Sequence, residues 1–259
     1  EVITSNNFES LCNLLISSNN KHFIIFGDIL KRIVNNARKM NENNSTERKA
    51  ELLLEKALLY KYNPNCLINI LEELESFHEK NNQPLEAAFT IVIEDAIILE
   101  YSTYFKRIQN IFNLNHPCLV FEKIISLVQK LILPNDAKRS FLPIFKYDDS
   151  YIQFNLLSEN LQRILKLTKE AKSYELSQFL INIYWPVYES ERAYLEISSL
   201  FSTYSGIFKE ISTYASSDPN RLFKVTFYGD GFGEENGKTY IYREKRLTHL
   251  YDFTNKILD

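Results

Sequence analysis

Glycine is scarce in this chain. There are six in 259 residues, and four of them (Gly229, Gly231, Gly233 and Gly237) fall within nine positions of one another. A chain with so little glycine before position 200 carries long helices at low propensity cost. Cysteine is scarce as well. Cys12, Cys66 and Cys118 are odd in number, far apart and without a CxxC pair, which argues against a disulfide framework and suits reduced thiols. His22, His78, His116 and His249 are isolated, so no metal pair at helical spacing exists and neither metal nor cofactor is expected. Positive charge is not in excess: 30 Lys and Arg stand against 33 acidic residues, a net charge of -3. That balance argues against nucleic acid as the main partner. No run of about 18 apolar residues is present, so no membrane span is expected. No basic stretch leads into an apolar one at the N-terminus, so no secretory signal is visible. These absences together describe a soluble, cytoplasmic chain. The only methionine is Met40, and the sequence stops at Asp259 inside an amphipathic pattern. It reads as a piece of a longer chain.

What is present is helical period. Hydrophobic residues make up 45% and charged residues 24%, enough for a real core. Tyr194, Ile197, Phe201, Tyr204, Phe208 and Ile211 step by three and four along one helix face. A second stripe runs Ala88, Ile91, Asp95, Ile98, Ser102 and Phe105, widened by Val92 and Leu99. Asp95 inside that stripe reads as a hydrogen-bonded or boundary carboxylate rather than a catalytic one. Further helices are predicted near 7–18, 22–40, 47–60, 66–80, 120–132, 154–170 and 173–189. Ser45 or Thr46 is the cap of the third, and Pro186 is expected to kink or end the last. Breaks fall at the turn-forming clusters 41–46, 63–65, 81–84, 113–117 and 134–136. Helical pairs of about 40 residues leave a solenoid-like layout open.

After Ser212 the texture changes. Phe223, Val225 and Phe227 alternate within residues 222–228, the pattern of a strand, and residues 238–243 form a second one. Residues 246–258 then read as the start of a helix. The expected fold class is therefore mostly α: an antiparallel helical array followed by a small, truncated antiparallel β element.

Motif chemistry adds little. The Gly229–Gly233 stretch follows a strand, but a phosphate loop needs a helix N-terminus next, and here Glu234 and Glu235 lead into another strand. It reads as a loop between strands. Glu234 and Glu235 read as solvated neighbours, and Arg243–Arg246 as a solvated turn, too interrupted by Glu244 for a nucleic-acid patch. No Ser–His–Asp or Cys–His arrangement is present. Tyr240 and Tyr242 offer phenol rings to a partner or pack as aromatic core or rim. On this chemistry alone the chain is a helical interaction protein.

Three groups of residues go further. Phe223-Lys-Val-Thr-Phe-Tyr-Gly-Asp-Gly-Phe232, Gly237-Lys-Thr-Tyr-Ile-Tyr-Arg243 and Leu247 to Leu258 follow one another near the end. Upstream lie Leu67–His78, then Leu85-Glu-Ala-Ala-Phe with Ala96-Ile-Ile-Leu-Glu-Tyr101. Between them stands Tyr184-Trp-Pro-Val-Tyr-Glu189 with the helix from Tyr194. In this order and spacing, over about residues 58–259, they resemble the DOCK family of guanine-nucleotide exchange factors in its second, catalytic homology region.

That resemblance implies three lobes. Residues 58–212 would be the helical first lobe, a scaffold and homodimer surface. Residues 213–259 would begin the β lobe that contacts a Rho/Rac-family small GTPase, and 1–57 would be an upstream helical segment. It assigns Phe227, Tyr228, Gly229, Gly231, Phe232, Tyr240, Tyr242 and Arg243 to the motif of the GTPase-contacting lobe. A third lobe, which would expel the nucleotide's magnesium, has no counterpart in this sequence, so no residue here is assigned a catalytic role. The alternative function is a non-catalytic helical scaffold or dimerisation module.

Overall fold

The structure is a computed structural model. It describes residues 6–42, 45–101, 117–132, 150–213, 220–245 and 247–258. Helices α1 (Asn6–Ile16), α2 (Lys21–Glu42), α3 (Thr46–Leu59), α4 (Pro64–Lys80) and α5 (Pro84–Tyr101) come first. A 3-10 turn at Pro117–Phe121 and the short α6 (Val128–Leu131) follow, then α7 (Ser150–Glu170), α8 (Tyr174–Ser190) and α9 (Tyr194–Thr213). The chain closes with strands β1 (Asn220–Thr226) and β2 (Thr239–Lys245) and helix α10 (Leu250–Leu258). The mostly helical reading holds, with a two-stranded antiparallel sheet after the helices.

Local chemistry sets the helix ends. Ser45 caps α3 by accepting the Arg48 N–H, and Asn63 caps α4 by accepting that of Cys66, with Pro64 at the first helical position. The scarcity of glycine shows at three C-termini, where Asn82, Lys172 and Arg192 take φ of 54°, 55° and 54°. At each, the next residue's N–H bonds back five residues along the chain: Gln83 to His78, Ser173 to Thr168, and Ala193 to Tyr188. These are Schellman closures built without glycine. They reverse the chain so tightly that α4 and α5, α7 and α8, and α8 and α9 lie beside one another.

The core is organised around α5, which is buried from Leu85 to Tyr101 on nearly every side. The sequence showed one apolar face; the helix uses all of them, as one enclosed by neighbours must. Ala88, Ile91 and Val92 pack with Leu157, Leu161 and Ile164 of α7 and with Leu180 and Tyr184 of α8. Ile93, Ile97 and Ile98 pack with Leu67, Ile68 and Leu71 of α4. Asp95 is fully buried at this junction, accepting hydrogen bonds from Asn160 Nδ2 at 2.6 Å and from the Tyr184 hydroxyl. The hydrogen-bonded reading of Asp95 was right. Ser102 and Phe105 lie outside the described residues.

Three helical expectations change. The helix expected over 120–132 is replaced by the 3-10 turn and α6, because Phe121, Val128 and Leu131 reach the core from separate short turns while keeping helix-like spacing. Pro186 does not end α8, which runs to Ser190; buried Tyr184, Val187 and Tyr188 hold its last turns in place. On α9 the buried line is Ile197, Leu200 and Ile207, while Tyr194, Phe201 and Phe208 of the expected stripe face solvent. Strand β1 starts and ends two residues before its expected bounds, β2 starts one residue and ends two residues after its own, and α10 begins at Leu250.

Candidate functional site

The β element is where the sequence placed its candidate residues. Register pairs Phe223 with Tyr242 and Val225 with Tyr240, so these four share one face. Phe253 of α10 stacks on Phe223 at 4.1 Å between centroids, and Tyr242 meets it edge-on at 5.5 Å. Pairing extends past β1, since the Phe227 N–H bonds the Lys238 carbonyl and the Gly237 N–H bonds the Phe227 carbonyl. Phe227 touches Phe232 at 5.2 Å and Tyr240 at 6.1 Å. The structure thus gathers Phe227, Phe232 and Tyr240 into one aromatic group and Phe223, Tyr242 and Phe253 into another.

Between the strands, residues Asp230–Glu235 wind into a 3-10 turn. Gly229 enters it at φ 128°, and its N–H donates to Asn236 Oδ1 at 3.1 Å, closing the neck of the loop. Gly231 lies exposed at the tip with nothing near its Cα hydrogens. Tyr228 is 77% exposed, apart from both aromatic groups, and Phe232 is also largely in solvent.

Two readings of charged residues are corrected here. Glu235 is not a solvated neighbour: it accepts the Tyr240 hydroxyl at 2.5 Å, because the 3-10 turn folds it back over β2. Arg243 and Glu244 are not in a solvated turn but on β2, where Arg243 Nε lies 3.6 Å from Glu86 of α5 and Glu244 pairs with Lys256 of α10.

Sequence reasoning missed Glu51. It stands on α3, 189 residues before Tyr240, and its Oε2 receives Tyr240 OH at 3.2 Å and Lys238 Nζ at 3.1 Å. Arg48, one turn earlier, grips the same oxygen at 2.5 Å. Burial pushes the Glu51 carboxyl up, but the bonds from Arg48 and Lys238 outweigh it and hold it below the usual range. The Tyr240 phenol is pushed up by burial and by both carboxylates, and the Tyr242 phenol to about 12 by burial and the charges of Glu47 and Glu235. Both stay protonated donors at neutral pH. A groove of about 1680 Å³ separates β2 and α10 from the helical body, lined among others by Glu51, Leu54, Leu85, Tyr240 and Tyr242.

Among the described residues, no group of three or more His, Cys, Asp or Glu side chains is arranged to hold a metal, and no helix is long and apolar enough to cross a membrane. Cys12 and Cys66 are free thiols. The described residues thus form a helical array with a small β hairpin tethered to it by charge contacts.

Comparison with known proteins places the array in a family. Residues 51–213 match the family model described as DHR-2, Lobe A. The chain belongs to this family and is a DOCK-family DHR-2 segment. Dedicator of cytokinesis protein 9 from Mus musculus is 25% identical over 254 residues, covering 89% of this chain and 12% of that protein. Dedicator of cytokinesis protein 11 from Danio rerio is 26% identical over 220 residues, 82% of this chain and 10% of that protein. Guanine nucleotide exchange factor SPIKE 1 from Arabidopsis thaliana is 28% identical over 115 residues, 43% of this chain and 6% of that protein. The chain spans about an eighth or less of the length of these curated relatives.

Proposed function

We propose that this chain is part of a guanine-nucleotide exchange factor for Rho/Rac-family small GTPases, promoting GDP release in signalling to the actin cytoskeleton. One observation carries the reading: a helical body matching DHR-2 lobe A is followed directly by the hairpin whose aromatic–Gly turn and Lys-Thr-Tyr-Ile-Tyr-Arg strand resemble the family's GTPase-contacting lobe. A relative that bears the name of an exchange factor supports it.

In this reading residues 58–212 are the scaffold, 213–259 begin the GTPase-contacting lobe and 1–57 form an upstream helical segment. Phe227, Gly229, Gly231, Tyr240, Tyr242 and Arg243 build and seat the hairpin, while Tyr228 and Phe232 are its solvent-facing aromatic groups. The helical lobe also forms a homodimer. What supports this is the exposure of Phe179, Tyr194, Leu195, Phe201 and Phe208 on α8 and α9, with Phe201 edge-on to Trp185. A cytoplasmic location, with membrane recruitment by regions outside this chain, accompanies the reading.

Exchange in this scheme needs no covalent chemistry. Removing the magnesium ion takes away the cation that neutralises the GDP phosphates, so nucleotide affinity falls and GTP replaces GDP by mass action. The share of residues 6–258 is to hold the GTPase in place, and expulsion of the ion belongs to the third lobe that the family resemblance implies. The test is release of a fluorescent GDP analogue from a panel of Rho/Rac-family GTPases by the full-length protein and by this chain. Release by the full-length protein, and not by this chain, is the expected result. No release from either, with both shown to be folded, would instead favour a non-catalytic scaffold or dimerisation module.

A further inference from the structure

We propose that Glu51 is a positioning residue: by receiving Lys238 and Tyr240 on one carboxylate oxygen, it sets the angle at which the β element stands on the helical body. What that angle does for a partner rests on the proposed function above; that Glu51 sets it does not.

The acceptor is fixed by contacts within α3 itself. Ser45 fixes the start of α3, and Arg48, only 4% exposed, holds Glu51 Oε2 from one turn away. The oxygen therefore sits on a rigid element, in a partly desolvated place where a charge-assisted bond counts for more than at an open surface. Lys238, just before β2, and Tyr240 within it are two residues apart and share a face, which brings both to one point. The other link from β2, Arg243 to Glu86, is longer at 3.6 Å and steers the far end of the strand.

Tyr240 makes the joint more than a tether. Its hydroxyl has one proton and two carboxylates within reach, Glu235 at 2.5 Å and Glu51 at 3.2 Å. Glu235 closes the 3-10 turn that carries Phe232. One hydroxyl thus couples the body, through Glu51, to the loop that bears the exposed aromatic ring. Strengthening the bond at one end weakens it at the other, so a shift of the hairpin on α3 is felt at Phe232.

The experiment places nitroxide labels on p-acetylphenylalanine at exposed positions 224 and 72 of the full-length protein and reads their distance distribution by pulsed electron resonance. Glu51→Ala is expected to shift or broaden it, with the docked-to-undocked ratio falling roughly three- to tenfold, the net scale of one ordinary hydrogen bond, since the joint is about a third exposed. Glu51→Gln, which keeps an acceptor for Tyr240, should fall between. Lys238→Met combined with Tyr240→Phe removes both donors of the hairpin and leaves Arg48 its carboxylate; it should shift the distribution as Glu51→Ala does, keeps the test valid should Glu51→Ala fail to fold, and overturns the proposal if it leaves the distribution unchanged. In parallel, Glu51→Ala should slow GDP release, and the Lys238→Met, Tyr240→Phe pair should slow it likewise. A distribution unchanged in both Glu51→Ala and Glu51→Gln overturns the proposal. If the unsubstituted protein releases GDP from no GTPase, the exchange reading fails while the distance measurement still decides the role of Glu51.

Discussion

In the helical body α5 is buried along its whole length between α4 and α7, whereas among the described residues of the β element only Phe223 and Phe253 fall below a tenth exposure, at 9% and 4%. The body is held by apolar area and by hydrogen bonds sealed from water, including those on Asp95. The β element is held by one aromatic stack, its own strand pairing and half-exposed charge contacts to α3 and α5. Apolar burial is stiff and intolerant of change in volume. Partly solvated charge contacts are weaker and screened by salt. A rigid body with an adjustable attachment suits a part that must meet a partner.

The sharpest way to break the body is from inside. Leu161→Ala, at a fully buried site facing α5, should cost about 2–5 kcal/mol in urea denaturation. A loss below about 1 kcal/mol would mean that the α5–α7 contact is not the core.

A second difference is the pH response. Burial raises the Asp95 carboxyl to about 7 despite the opposing bonds from Tyr184 and Asn160. Burial raises Glu94 and Glu75 too, Glu75 against the Arg163 charge. A carboxyl whose folded pKa lies above its unfolded one contributes stability that is complete below the unfolded value and lost as pH climbs through the folded value. From an unfolded value near 3.9, Asp95 alone should cost the body about 2–3 kcal/mol between pH 5 and pH 8. Asp95→Asn should remove that share of the slope and leave the share of Glu94 and Glu75, and a native protein equally stable at both ends would contradict the assignment. The Glu51 joint runs the other way: its carboxyl is held low, so its contacts are present at neutral pH and fade only in acid.

In the β element, Phe253→Ala should lower the local stability of β1 and β2 by about 2 kcal/mol, less than a fully enclosed aromatic. Amide hydrogen exchange should show faster exchange in residues 220–245 and an unchanged α5. Phe227→Ala should do less again, since Phe227 is half-buried and does not reach the 3–5 kcal/mol typical of an enclosed ring. The smallest effect is a gain: Arg192→Gly relieves a left-handed residue at the end of α8 and should add about 0.5 kcal/mol to the thermal stability of the body.

Much of this contrast was legible in the sequence. Apolar spacing of three and four gave the long helices, and the alternation of Phe223, Val225 and Phe227 gave the hairpin, because both are local periods. Asp95 was readable as a bonded core carboxylate because it sits inside an apolar stripe. Glu51 was not. Nothing near it distinguishes it from the other glutamates of α3, and its partners are brought to it by tertiary folding. The 120–132 region misled for a related reason, since separate turns placed core residues at helix-like intervals. On α9 the period gave the helix but not the covered side, which depends on where the array ends.

The most direct test compares the two regions with a partner present. Amide hydrogen exchange of the full-length protein would be measured with and without a nucleotide-free Rho/Rac-family GTPase. Added protection in peptides spanning 220–245, Tyr228 and Phe232 included, with α5 unchanged, is the result expected of a rigid body presenting an adjustable hairpin. No change in those peptides while GTPase binding protects the helical body would contradict it.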